Sequence, residues 1–409
     1  MYYGLLQERG CKCEKGKKCT CDATWSVTVD IGRDPITNKR KQKELSGFRT
    51  KRDAEKAAAA LVTELDQGTY VQEKNVTFKE FVKTWLEIYK NTVKISSVRV
   101  REHESGRLMR YFENVKMKDI TKKMYQDALN DLQKANGKKK GLSYNTISGV
   151  HSTGRMIFSK AVELDVIKNN PTQFAKLPRT QKTVEEIEQE EEVVKYLEKE
   201  ELAKFLNTAE TQGLDQDHII FMLLAYSGMR AGELCALRWS DLDMDEHTIS
   251  ITKTYYNPTN RTREYQLLTP KTKTSKRKID IDPDVVKLLR KHRKWQKEIM
   301  MEYRTTYHDG DFVIAKTDPL NAGYPEFIKT IENRMRRLLK LAGLNEKLTP
   351  HSLRHTHTSL LAEAKVGLTE IMERLGHKDD DTTRNVYTHV TKTMKKEASH
   401  KFSELMRSL

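Results

Sequence analysis

The sequence predicts a mainly α-helical protein of several domains with small β-sheets, and three observations carry that prediction. Apolar residues recur at helical spacing through residues 73 to 180 and again from Leu202 onward. Short runs alternating apolar with polar residues occur near Trp25 to Ile31, Thr248 to Thr254 and Arg277 to Ile281. Between the helical regions, residues 181 to 201 hold nine acids against three bases, a net of −6, and read as a linker. At 409 residues the chain is too long for one ordinary domain, and these features divide it at 1–72, 73–180, 181–201 and 202–409.

In residues 1–72, Trp25, Val27, Val29 and Ile31 alternate with polar residues, Asp-Pro-Ile-Thr-Asn at 34–38 makes a turn, and Lys39 to Leu45 returns as a polar strand. From Thr50 a capping residue, an alanine-rich run and an apolar stripe predict one helix bracing a three-stranded sheet. Such a sheet can lay strands in a DNA groove; the plainer reading is an oligomerisation or metal-binding appendage. Cys11, Cys13, Cys19 and Cys21 fall within eleven residues, and a hairpin bringing two thiolate pairs together makes them a candidate structural zinc site. Their C-x-C spacing is tighter than usual, and a reduced hairpin without metal is the alternative. Cys235, alone in an apolar helical pattern, reads as core packing.

Residues 73–180 predict an all-helical bundle. One face runs through Phe78, Phe81, Val82, Trp85, Leu86 and Tyr89, a second through Tyr125, Leu129 and Leu132. A third begins near Ser143-Tyr144 and passes through Val150, Ile157, Phe158 and Val162 to Asn169-Asn170-Pro171, where proline ends it. This segment holds 22 Lys and Arg against 11 Asp and Glu, a net of +11, out of +16 for the whole chain. So basic a balance favours a polyanionic partner, nucleic acid before an anionic membrane surface. No stretch approaches a membrane span and Met1 to Gly10 lacks a signal pattern, so a cytoplasmic protein acting at the nucleoid is expected.

From Leu202 the pattern is helix-rich, with helices expected at Ile219 to Ala225, from Glu233 to Leu237, and around Val285 to Tyr303, Phe327 to Ala342, Leu353 to Ala364 and Glu370 to Leu375. A small sheet from 248–254 and 277–281 lies between them. The residues with chemical meaning are here. His-Ser-Leu-Arg-His at 351–355, Leu-Gly-His at 375–377 and Tyr387 give the spacing R-(x22)-H-(x9)-Y, and Ser-Gly-Met-Arg-Ala-Gly-Glu at 227–233 supplies a second arginine. A tyrosine hydroxyl can attack a phosphodiester and conserve its energy as a phosphotyrosine ester. Planar guanidinium groups, here Arg230 and Arg354, suit the charge that develops on the non-bridging oxygens. A hairpin lysine can supply the proton that the departing 5′ oxygen needs to leave as a hydroxyl, and a histidine can hydrogen-bond the phosphate or relay the tyrosine proton. Each residue alone has a plainer reading: Arg230 as an ion pair with Glu233, His351 as a cap, His377 as a residue after a glycine-capped helix, Tyr387 as one of 16 tyrosines.

Together, these boxes resemble the tyrosine recombinase family, specifically the phage and conjugative-element integrases. S-G-M-R-A-G-E-L is similar to the first family box and implies Arg230 as first catalytic arginine with Glu233 as acidic companion. H-S-L-R-H is similar to the H-x-x-R box, implying His351 and Arg354; L-G-H-K-D-D-D-T-T-R-N-V-Y-T-H is similar to the last, implying His377 and the nucleophile Tyr387. The family's catalytic lysine lies in the hairpin between boxes, here T-P-K-T-K-T-S-K-R-K-I-D-I, which implies Lys271 with Lys273 as alternative. Ile-Asp-Ile stands at 279–281 where many relatives have Ile-Pro-Leu.

The resemblance extends to the flanks and implies an arm-type DNA-binding domain with the cysteine cluster (1–72), a helical core-binding domain (73–180) and an α+β catalytic domain (202–409). The cysteines depart from the family pattern. The resemblance further implies an integrase acting on double-stranded attachment-site DNA as a homo-tetramer, through a 3′-phosphotyrosine and a Holliday junction, with no cofactor for catalysis. A directionality factor and a host DNA-bending protein are the implied accessory partners, and residues after Tyr387 are expected to pack on a neighbouring protomer or form an ordinary terminal helix. The alternatives are a type IB topoisomerase-like strand transferase and a non-catalytic DNA-binding regulator. A metal hydrolase built on His351, His355 and His357 is a further one.

Overall fold

Three antiparallel strands, β1 (Tyr3–Arg9), β2 (Thr24–Arg33) and β3 (Arg40–Phe48), form a meander in that order. They are seen in a computed structural model that describes residues 3–9, 23–33, 37–68, 70, 74–134, 141–179, 196–270, 275–376 and 406–407. Val27 faces Leu45 and Trp25 faces Phe48, so the return strand runs three residues beyond the expected Leu45. Asn38 adopts φ 53°, the left-handed conformation that a short polar side chain tolerates in a turn. Helix α1 (Lys51–Asp66) starts where Thr50 accepts the Asp53 N–H at 3.2 Å. Its small Ala54 and Ala58, with Leu61, bury against Val27 and Val29 as a core of their own.

Four helices follow: α2 (Phe78–Lys90), α3 (Ile95–Phe112), α4 (Lys122–Gln133) and α5 (Tyr144–Glu163). A capping box opens α2, with Glu80 N–H donated to Thr77 Oγ1 and Thr77 N–H to Glu80 Oε2. Phe78 packs on Phe112 and Phe158 with ring centroids 5.7 Å away in each case. Sequence patterning signals α2, α4 and α5 but not α3, whose fully buried face is only Ser105, Leu108 and Phe112. That helix is tied down by polar groups instead: Arg101 Nη1 donates to Glu104 at 2.7 Å and to Thr153 of α5 at 2.9 Å. Helix α5 also ends earlier than Asn169–Pro171. Asp165 turns at φ 53°, Val166 N–H returns to the Ala161 carbonyl, and Val166 and Ile167 fold into the core.

Cα packing separates two compact units, Met1–Lys182 and Thr183–Leu409. Most of the expected acidic linker 181–201, its residues 181–195, lies outside the described residues. The second unit contains α6 (Lys199–Thr211), α7 (Asp217–Ser227), the short α8 (Ala231–Cys235), α9 (Pro283–Glu302), α10 (Ile328–Leu341), α11 (Pro350–Glu363) and α12 (Leu368–Leu375). Strands β4 (Leu242–Asp243), β5 (Thr248–Ile251) and β8 (Arg277–Asp280) form one sheet, while β6 (Thr254–Tyr256) and β7 (Gln266–Leu268) pair separately. The run 248–254, read as one strand, is therefore divided between two sheets at Thr252 and Lys253, where the Lys253 ammonium is held by Asp241 at 2.5 Å. Ile249 and Ile279 pair across β5 and β8 and bury with Phe221, Leu224, Leu234, Leu289, Met335 and Leu353. Cys235 is fully buried there, as its apolar setting predicts.

Candidate active site

Around this core three chain segments converge. The first is the turn after α7, where Gly228 caps the helix at φ +61° and releases the chain into Met229 and Arg230. A side chain at Gly228 would place Cβ 2.7 Å from His357 Cδ2 and 2.8 Å from Leu375 Cδ2, so this position needs glycine for both backbone and space. Arg230 is the N-cap of α8 rather than a member of it. Its N–H and its Nη1 donate to Glu233 at 2.9 and 3.0 Å. The ion pair expected as the plain reading does exist, yet the Arg230 side chain keeps 41% of its surface exposed while Glu233 keeps 4%.

The second segment is the start of α11, where Pro350 sits in the first turn and Thr349 and Ser352 cap it reciprocally. Arg354 is 1% exposed and, among the described residues, has no carboxylate in direct contact. Nη1 donates to the Gly228 carbonyl at 2.7 Å and Nη2 to the Leu375 carbonyl at 2.6 Å. Nε is buried and meets no acceptor among the described residues. Burial, then the charge of Arg230, pushes its pKa down to about 9; Glu233 pulls the other way and Arg277 adds to the depression. Arg354 is still a cation at neutral pH, but one whose charge is poorly compensated, the state expected of a group awaiting an anion.

His351 lies one turn before Arg354, its outer edge open to solvent and its ring packed edge-on against His355 with centroids 4.7 Å apart. Partial enclosure, then the charges of His355, Arg354 and Arg230, lower its pKa to about 4. A neutral imidazole beside two guanidinium groups can hydrogen-bond a phosphate oxygen or accept a proton. The third segment is the end of α12, where Gly376 takes φ +66° as the expected cap and leads directly into His377.

Arg230, Glu233, His351 and Arg354 are thus brought together. Lys271, Lys273, His377, Tyr387 and the cluster Cys11, Cys13, Cys19 and Cys21 lie outside the described residues. Among the described residues no group of three or more His, Cys, Asp or Glu could hold a metal ion. The hydrolase alternative lacks its third ligand for a visible reason. His357 turns away from His351 and His355, its Nδ1 bonded to the Ala225 carbonyl at 2.8 Å and its Nε2 accepting from Arg374 Nε at 3.1 Å.

Patterning missed Arg277 and Arg374, which complete the framework. Arg277 Nη2 donates to Glu233 Oε2 at 2.9 Å and Nε to the Arg374 carbonyl at 2.7 Å. Arg374 Nη2 donates to the carbonyls of Tyr226 and Asp280. Burial opposes ionisation of Glu233, but the hydrogen bond and charge of Arg277, with help from Arg230, hold its carboxyl below the usual value. Burial, with the Arg374 charge second, lowers the pKa of His357 to about 4. An unfolded chain binds this proton from about pH 6.5 downward, the folded one only near 4, so the native state is fully favoured above 6.5 and loses stability through that window. We expect roughly 3 kcal/mol of pH-dependent stability from this residue. Urea unfolding at several pH values checks it: the wild-type slope between pH 6.5 and 4 should exceed that of His357→Asn, and equal slopes would contradict it.

Family models cover most of the chain: an arm DNA-binding domain at 15–65, a phage integrase N-terminal SAM-like domain at 77–133 and the phage integrase family at 195–394. The integrase of Staphylococcus phage L54a is 31% identical over 352 residues, 81% of this chain and 94% of that protein. The chain belongs to the phage integrase family of tyrosine recombinases. It is a site-specific recombinase, an enzyme that cleaves and rejoins DNA, and neither the topoisomerase-like nor the regulatory alternative is favoured. Its fold is shared with the Tn1549 transposon integrase in complex with transposon right-end DNA, at TM-score 0.61 and 22% identity over 80% of this chain and all of that one. It is also shared with a phage lambda integrase tetramer bound to a Holliday junction, at TM-score 0.52 and 20% identity over 88% of this chain and 91% of that one.

Proposed function

We propose that this tyrosine recombinase integrates or excises a mobile element by cleaving attachment-site DNA with Tyr387, leaving a 3′-phosphotyrosine. One observation carries the reading most directly: the buried Arg354 cation, held among the described residues by carbonyls alone, sits with Arg230 beside a neutral His351. Such a group stabilises a phosphorane whose negative charge grows in the transition state. Arg230 and Arg354 grip the non-bridging oxygens, and His351 hydrogen-bonds the phosphate or takes the tyrosine proton. From the family boxes, His377 joins them, and Lys271, or Lys273 in its place, protonates the departing 5′ oxygen, which leaves as the hydroxyl. Neither nucleotide nor metal is needed to reseal the strand, because the tyrosyl ester keeps the bond energy.

Separate cores in residues 27–61 and 78–167 support distinct arm-type (1–72) and core-binding (73–180) modules, ahead of the linker at 181–201 and the catalytic module at 202–409. The lambda integrase likeness supports exchange within a homo-tetramer through a Holliday junction, and a net charge of +16 suits a duplex partner. Among the described residues no helix is long and apolar enough to cross a membrane. A directionality factor and a DNA-bending protein are the accessory partners this reading implies, and the bacterial nucleoid is its place of action.

Labelled DNA from the element's ends, nicked so that cleavage releases a short fragment, should become covalently attached to the wild-type protein and not to Tyr387→Phe. Trapping is expected to persist in EDTA. Capture by Tyr387→Phe would show the nucleophile to be another residue.

A further inference from the structure

We propose that Arg277 is a positioning residue that keeps the charge of Arg230 available to the phosphate and holds the catalytic segments in register. This rests on the roles proposed for Arg230 and Arg354. Arg277 opens β8, its side chain is 5% exposed, and unlike Arg354 it is paired directly with a carboxylate, Glu233. Among the described residues its guanidinium makes four hydrogen bonds: Nη1 to Glu233 Oε1 at 3.3 Å and to the Ser275 carbonyl at 3.2 Å, Nη2 to Glu233 Oε2 at 2.9 Å, and Nε to the Arg374 carbonyl at 2.7 Å.

Glu233 would otherwise be a buried carboxylate with Arg230 as its counter-ion. A lone pair of that kind closes into a bidentate fork, and the arginine charge is spent on the carboxylate. Here Arg277 occupies the fork. Glu233 Oε2 receives Arg277 Nη2 and the Arg230 backbone N–H, which leaves Arg230, among the described residues, a single side-chain hydrogen bond, Nη1 to Oε1 at 3.0 Å. The one negative charge of Glu233 is thereby shared between Arg277 and Arg230, and the Arg230 charge, on a side chain 41% exposed, is only partly compensated. The same side chain ties together segments far apart in sequence. Ser275 directly follows 271–274, which contains both candidate lysines, and Arg374 stands three residues before His377. Leu375, next to Arg374, gives its carbonyl to Arg354.

The test is a double-mutant cycle on the full chain with Arg277→Lys, Glu233→Gln and the pair. The single-turnover rate of covalent capture is measured at saturating nicked DNA, and affinity for that DNA is measured separately. A lysine keeps the charge but cannot fill the fork. We expect Arg277→Lys to slow capture by about 10²-fold while changing DNA affinity by no more than about threefold. The double variant should be no slower than the slower single one, because both act through the same contact. Methylguanidinium should restore part of the rate to Arg277→Ala. Wild-type capture by Arg277→Lys, losses that multiply in the pair, or equal losses of rate and affinity would overturn the proposal. So would failure of both Arg277 variants to fold, which would make the residue structural only. Failure of the underlying reading is distinguishable, because it appears in the wild-type protein as absent capture or in Tyr387→Phe as retained capture.

Discussion

Replacing Arg354 by glutamine is expected to lower the rate of covalent DNA capture by about 10³-fold, the loss of one pre-set charged donor at a developing anion. The accompanying change in stability should be small. Arg354 is 1% exposed, its direct partners are the Gly228 and Leu375 carbonyls, and its pKa is depressed to about 9, so the folded state bears the cost of a buried, poorly compensated cation. Glutamine is neutral and can still donate to one carbonyl. Relief of the charge penalty offsets the second hydrogen bond, worth roughly 1 kcal/mol. Unfolding free energies within about 1 kcal/mol of wild type, beside a collapse in single-turnover capture, are the expected pair of results. A variant that unfolds readily, or one that still cleaves, would show that Arg354 serves the fold rather than the phosphate.

Gly228→Ala should act in the opposite manner, through the fold first. At φ +61° an alanine is strained, and its Cβ would stand 2.7 Å from His357 and 2.8 Å from Leu375. Both neighbours are buried, and His357 is fixed by bonds to Ala225 and Arg374, so neither can step aside without breaking a contact. We expect a loss of roughly 2 to 4 kcal/mol in unfolding free energy from strain and overpacking together. Capture should slow as well, because the displaced carbonyl is the one that accepts from Arg354 Nη1. Equilibrium urea unfolding measures the first effect, and a loss below about 0.5 kcal/mol would count against it.

Much of the fold is readable in one dimension. Strong apolar periodicity marks α2, α4, α5, α9 and α10, where burial is the main organising force, while Pro350 marks a helix start by its fixed φ and Gly376 a helix end by its ease in the left-handed conformation. Helix α3 escaped because its charged sequence buries little, and a partly buried Arg101–Glu104–Thr153 network does the anchoring. Period alone could not see that network, since its partners lie 52 residues apart in sequence.

For the site, residue type and order by themselves determined which chemistry is possible: guanidinium groups for a phosphate, a histidine for a proton, a tyrosine for attack. Only the tertiary structure decided which charges are free to act. Arg230, Arg277 and Arg354 are the same side chain in sequence, but Arg277 is consumed by a buried carboxylate, Arg230 is half released by it, and Arg354 is held by carbonyls with no carboxylate paired to it among the described residues. The reason is electrostatic: the availability of a cation depends on burial and on how nearby acceptors divide its hydrogen bonds, and both are set by segments that meet only when the chain folds.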